Sequence, residues 1–143
     1  MTPITRQATA LIDLPPAARG LHEVTERLTG WVAAQGVVEG LLTVFVRHSS
    51  ASLLIQENAD PDVRTDLMAW FERAVPEDPD RYVHVTEGPD DMPAHIRAAL
   101  TQTHLAIPVI GGRLALGTWQ GVYLFEHRRR RHRRQLALHL IGG

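Results

Sequence analysis

The sequence predicts an α+β fold: a mixed, largely antiparallel sheet with helices packed against it. Three observations lead there. Helical and strand-like patterns follow one another irregularly instead of alternating strictly, which argues against a doubly wound parallel sheet. Gly111-Gly112 separates two apolar runs and suits the tight reversal of an antiparallel hairpin. Leu136, Leu138 and Leu140 alternate with other residues, as in a strand with one buried face. At 143 residues and 44% apolar content, the chain is expected to form one domain, residues 1–143, around a single substantial core.

In chain order, Ile4 to Ile12 reads as a strand, and Leu14-Pro15-Pro16 is expected to interrupt regular structure. Leu21, Val24, Leu28, Trp31 and Val32 recur at three- and four-residue steps and predict a helix from Leu21 to about Gln35, with Gly36 as its stop. Gly40 to Arg47 is strand-like, Leu42, Val44 and Val46 sharing one side of the pleat. Asp60-Pro61-Asp62 supplies a capping side chain, a first-turn proline and an acid for a helix from Pro61 to about Ala74. Its apolar face is Val63, Leu67, Trp70 or Phe71, and Ala74, with Asp62 and Asp66 on another. Pro76 to Asp80 reads as a loop, Tyr82 to Thr86 as a short strand, and Glu87 to Asp91 as an acidic loop. A helix from Pro93 to about Thr101 should carry His95 in its first turn. The last third reads as strands at Leu105 to Ile110, Arg113 to Glu126 and Leu136 to Ile141.

Composition narrows the chemistry. Cysteine and lysine are both absent, which excludes disulfides, thiolate ligands, Schiff bases and a P-loop lysine. All 15 basic side chains are therefore arginine, against 16 acids and a formal charge of −1. Six arginines crowd into Arg128 to Arg134. One short basic run on an otherwise acidic chain reads as a solvated strand end, so nucleic acid is not an expected partner. No apolar run is long enough to span a bilayer, and the start, MTPITRQATALIDLPP, has no secretory pattern, so a cytoplasmic location without membrane contact is expected.

The chain's serines are Ser49, Ser50 and Ser52, and its one asparagine, Asn58, follows closely. Between a strand end and a helix start these groups either cradle an anion or cap turns. His48, His84, His95 and His127 lie near predicted strand ends, turns or a helix start, with acids close by. No His-x-x-x-His pair is present, so a metal site would have to be assembled by tertiary contacts. In Gly117-Thr118-Trp119-Gln120-Gly121, two glycines inside a strand-like run mark a bulge or a close backbone approach, or else a kink with Trp119 in the core.

Taken together, these blocks resemble a known family. His48-Ser49-Ser50-Ala51-Ser52, Glu57-Asn58-Ala59-Asp60-Pro61-Asp62-Val63-Arg64 with Asp66, Tyr82-Val83-His84, the run Glu87 to Ile96, Leu116 to Gly121, and Glu126-His127-Arg128 resemble the YjbQ family in order and spacing over nearly the whole chain. The resemblance implies an α+β subunit assembled as a homotrimer, with candidate sites between subunits. It also implies a secondary thiamine-phosphate synthase activity, in which hydroxymethylpyrimidine diphosphate joins thiazole phosphate and diphosphate is released. Such a leaving group calls for a divalent cation, Mg or Zn, and for arginine.

Carried over by position, His48, His84 and His95 become the metal or acid–base cluster, and Asp66 joins them as a catalytic candidate. Asn58, Asp62 and Asp66 would shape and charge the same pocket. Ser49, Ser50, Thr118 and Gln120 would bond phosphate or heterocycle, and Arg128 and Arg134 would pair with phosphate oxygens. Two departures stand out: Gln56 replaces an asparagine of many relatives, and Arg131-His132-Arg133 replaces a Gly-Gly-Ser approach to the last strand. The added charge either alters phosphate affinity or sits in solvent. The same residues also admit a metal-dependent hydrolase of a phosphorylated metabolite, or a non-enzymatic ligand- or nucleic-acid-binding module.

Overall fold

In the computed structural model, which describes residues 1–143, eight strands form two sheets. The strands are β1 (Arg6–Ala17), β2 (Gly20–Glu23), β3 (Gly40–Val46), β4 (Ala51–Glu57), β5 (His104–Ile110), β6 (Arg113–Leu114), β7 (Gln120–Glu126) and β8 (His132–Gly142); the helices are α1 (Thr25–Gln35), α2 (Pro61–Ala74) and α3 (Asp91–Leu100). One sheet has the order β1-β8-β3-β5-β6 and the other β2-β7-β4. Every pairing is antiparallel, so the expected mixed sheet is corrected to a wholly antiparallel pair of sheets.

The core fills the space between the sheets and α1. Leu42, Val44, Leu138 and Leu140 face Leu53, Val122 and Leu124, while α1 adds Leu28 and Val32. Burying side chains of this kind stabilises by about 1.5–3 kcal/mol each before entropy is counted. The second sheet is covered on its other side too: Phe125 of β7 meets Phe71 of α2 edge-on, ring centroids 5.2 Å apart. That double cover explains why β7 is continuously buried after Gln120 instead of alternating.

Several local readings hold. Gly36 ends α1 with φ 68°, Asp60 caps α2 by accepting from the Asp62 N–H at 2.9 Å, and Gly111 and Gly112, both at positive φ, turn β5 into β6. Others are corrected. β1 continues through Pro15 and Pro16, because on an edge strand a missing N–H points outward, and a register shift between Leu14 and Ala17 absorbs the irregularity. Leu21 lies in β2, opposite Phe125, so α1 begins at Thr25. Tyr82 to Thr86 finds no strand partner and follows a single 3-10 turn at Pro79–Arg81, leaving Val83 and Val85 exposed.

Arg113 to Glu126 is split by a turn at Gly117–Gln120, since β6 pairs in one sheet and β7 in the other. On α2, Phe71 is buried and Trp70 is exposed. α3 begins at Asp91, so Pro93 falls within its first turn and His95 in its second. No helix is long and apolar enough to cross a membrane.

Candidate metal centre

Asp91 and His95 lie four residues apart on α3, so the helix puts them on one face. The loop before α3 brings His84 to the same point. His84 Nε2 lies 2.8 Å from Asp91 Oδ2, and His95 Nε2 lies 3.1 Å from that oxygen. The ligand atoms of all three fall within 4.8 Å of one another. The second nitrogen of His95, Nδ1, is 2.9 Å from the Ser49 carbonyl and must donate to it. With Nδ1 committed to that carbonyl, Nε2 is the nitrogen left to face Asp91, the orientation that metal-ligating histidines take.

Asp91 is held from behind. Arg128 donates to Asp91 Oδ1 at 2.7 Å, to Asp90 Oδ2 at 2.9 Å and to the Glu87 carbonyl at 3.2 Å. Burial alone would raise the Asp91 carboxyl, but hydrogen bonding from His84 and the charges of His95 and Arg128 outweigh it and hold Asp91 below the usual carboxylate range. Asp90 is lowered likewise, with bonds from the Arg129 N–H and the Arg128 side chain overcoming its burial. Exposure falls from 44% at the His84 side chain to 2% at Asp91, so the cluster opens to solvent on the His84 side. Two imidazole nitrogens, one carboxylate oxygen and an open side are the donor set of a catalytic rather than a closed structural metal site.

Support comes from a second buried pair. Arg134 grips Glu126, Nε to Oε1 and Nη2 to Oε2, both at 2.7 Å, and also donates to Ser50 Oγ at 3.1 Å. Glu126 Oε2 accepts in turn from the backbone N–H of His127 and Arg128. The turn at Ser49 and Ser50 is thereby tied to α3 at one residue and to the β7 end at the next.

The structure separates residues that the sequence reading had pooled. His48 does not join His84 and His95: its Nε2 accepts from the Gln135 N–H at 2.9 Å, and burial with the nearby Arg134 charge lowers its pKa. Its place in the cluster is taken by Asp91. Arg128 and Arg134 are engaged by carboxylates and are not free for phosphate. Asn58, Asp62, Thr118 and Gln120 gather at the opposite end of the smaller sheet, because β4 and β7 pair Ala51 with Glu126 at one end and Glu57 with Gln120 at the other. Six residues of strand span about 20 Å. Asp66 is exposed on α2.

At that far end the glycines are explained. A Cβ on Gly121 would lie 2.5 Å from Glu23 Oε2, so the close approach is by a neighbouring carboxylate. The same carboxylate accepts from Asn58 at 3.1 Å. Gln120 folds back to accept from the Gly117 N–H at 2.7 Å, and Trp119 stands 61% exposed instead of in the core. Asp91 was the key residue missed in the site reading. Its Asp-x-x-x-His spacing to His95 is a helical pair only when α3 starts before Pro93.

Fold and cluster together define a class: two antiparallel sheets enclosing one core, with a solvent-open His/Asp/His cluster where α3 meets the β7 end. Comparison with known proteins places the chain in a family. The family described as UPF0047 protein YjbQ-like matches residues 10–143. The UPF0047 protein sll1880 of Synechocystis sp. is 55% identical over 137 residues, 96% of this chain and 93% of that protein. The UPF0047 protein YjbQ of Escherichia coli O157:H7 is 45% identical over 118 residues, 82% of this chain and 85% of that one. A Sulfolobus solfataricus P2 structure, described as a YbjQ-like protein of unknown function, shares the fold with a TM-score of 0.83 at 20% identity, covering 96% of this chain and 100% of that one. The chain belongs to the UPF0047, YjbQ-like family.

Proposed function

We propose that this protein is a metal-dependent enzyme of phosphorylated small metabolites. The reaction we assign is the joining of hydroxymethylpyrimidine diphosphate to thiazole phosphate, forming thiamine phosphate and releasing diphosphate. The observation that carries the reading is the convergence of His84, Asp91 and His95, with the His95 ring oriented by the Ser49 carbonyl. Of the two metals expected, this nitrogen-rich set favours Zn2+ over Mg2+, which prefers oxygen ligands and keeps its water. When bound, the ion would neutralise charge on a diphosphate leaving group. The chain's own residues orient it: Arg128 turns Asp91 toward the histidines, Ser49 fixes His95, and the open side beside His84 admits a ligand oxygen. A homotrimer in the cytoplasm is part of the same proposal, and the exposed apolar rows on the outer face of the larger sheet support self-assembly.

Metal analysis after dialysis, followed by product analysis, tests the assignment. Expected are one Zn2+ per chain in the wild type, its loss in His84→Ala and His95→Ala, retention in His48→Ala, and thiamine phosphate only when both precursors are present. Phosphate released from a single precursor would replace the transferase reading by hydrolysis. Full Zn2+ affinity in both triad variants would end the metal assignment.

A further inference from the structure

Most arginines of this chain already have an acceptor. Arg6 and Arg27 bond backbone carbonyls, Arg47 and Arg64 neutral side chains, Arg81 pairs with Asp78, and Arg97 bonds the Val75 carbonyl. Arg19 and Arg129 share Glu77, and Arg128 and Arg134 hold Asp90, Asp91 and Glu126. Arginines with no hydrogen-bond or ion-pair partner reduce to Arg73 and Arg113, apart from each other, and to Arg130, Arg131 and Arg133 in one segment.

That segment joins β7 to β8 and is pinned on both sides of the free residues. Arg128 is fixed to Asp91, and the Arg129 N–H donates to Asp90 Oδ2 at 3.0 Å. His132 Nδ1 lies 2.6 Å from the Arg130 carbonyl, and Arg134 is locked on Glu126. The buried carboxylates at this end, Asp90, Asp91 and Glu126, each face an arginine already, so none is left for Arg130 or Arg131. Both are exposed. Two residues of chain span at most about 7 Å, so the Arg130 backbone stays within that distance of the residue whose guanidinium touches Asp91. Adjacent uncompensated cations raise the local potential, and an anion relieves their repulsion. Arg133 differs: along β8 it alternates with Arg134 and lies on the opposite, exposed face.

We propose that Arg130 and Arg131 are the anion-recognising arm of the candidate metal centre, taking the phosphate or diphosphate group of a ligand seated beside His84. This rests on the metal reading above, and it moves phosphate recognition from Arg128 and Arg134, which position Asp91 and Glu126, to their free neighbours. A guanidinium presents paired donors to phosphate oxygens, so two of them define a diphosphate-sized contact.

The test loads the full chain with Co2+ as a spectroscopic probe and titrates inorganic pyrophosphate by calorimetry. The Arg130→Ala/Arg131→Ala double variant is expected to load Co2+ with the wild-type spectrum and to bind pyrophosphate at least about tenfold more weakly. Arg133→Ala, which removes one charge of the same segment on the exposed face of β8, should bind as the wild type does. Equal affinity in the double variant, or an equal loss in Arg133→Ala, overturns the proposal. If the wild type takes up no Co2+, the metal reading fails by itself. Pyrophosphate binding to the metal-free protein then decides the arginines alone: a loss confined to the double variant upholds the arm, and any other pattern overturns it.

Discussion

His127, one residue past β7, shows what a single buried ring imposes. Its side chain is 1% exposed, and Nε2 lies 2.8 Å from Ser52 Oγ, itself 2.6 Å from Thr101 Oγ1. Nδ1 has no partner. Burial, then the charges of Arg97, Arg134 and Arg19, lower its pKa to about 3. In the unfolded chain the ring takes a proton near pH 6.5, whereas in the folded chain it stays neutral down to about 3. Between those values the unfolded state binds the extra proton, so stability falls as pH falls, by about 1.4 kcal/mol per unit below 6.5. Asp90 and Asp91 act in the same direction only at lower pH, as it drops below the ordinary aspartate value of 3.8. Urea midpoints measured from pH 7 to pH 4 should therefore decline steadily, and His127→Gln should flatten that decline by close to one proton. An unchanged slope in the variant would show that His127 does not set the acid sensitivity.

At the scale of elements, what the sequence disclosed was what neighbours in the chain decide. The Asp60-Pro61 cap, the Gly111-Gly112 turn, the Gly36 stop and the alternation of β3 and β8 are local, and each is present. Leu21 fits a helical stripe with Val24 and Leu28, yet it pairs with Phe125, and a partner so distant in sequence leaves no local trace. The site divides the same way. His84 and His95 were legible by residue type; Asp91 was obscured by a helix start placed two residues late. Asn58 and Gln120 lie apart from Ser49 and Ser50 because β4, not foreseen as a strand, and its partner β7 run to the other end of the smaller sheet. The Gly117 to Gly121 motif signalled a close approach without disclosing by what. Glu23 is the answer, and it yields a double-mutant test. Gly121→Ala displaces the Glu23 carboxylate from Thr25 and Asn58 and should cost about 1–2 kcal/mol in chemical denaturation. In the Glu23→Ala background the same substitution should cost clearly less, because the colliding oxygen is gone. Strictly additive costs would place the strain in the β7 backbone instead.

On the scale of the whole molecule, the two faces of the five-stranded sheet are unlike. One covers the core; the other carries Leu11, Leu41 and Phe45 at 60%, 40% and 44% exposure, with Thr43, Ala137 and Ile141 among them. Cross-strand registers set Leu11 and Phe45 on either side of Ala137, and Leu41 beside Ile141, so these residues form continuous rows. A shallow depression of about 620 Å³ crosses the same rows, lined by Thr9, Leu11, Thr43, Phe45, Ala137 and His139. Antiparallel sheets that face water normally alternate apolar with polar residues, and contiguous apolar rows between Asp13 and Arg133 on one side and Arg113 on the other mark an interface. If this face closes the homotrimer proposed above, light scattering at micromolar concentration should give three times the 15.9 kDa chain mass. Phe45→Glu, placing a charge in the middle of a row, should give single chains while keeping the strand content seen by circular dichroism. Because His84, Asp91 and His95 converge within one chain, the dissociated variant should still take up Zn2+. A wild type that scatters as one chain would remove self-assembly from the proposal while leaving the metal centre standing; a monomeric Phe45→Glu that no longer binds Zn2+ would mean that the centre is completed across copies.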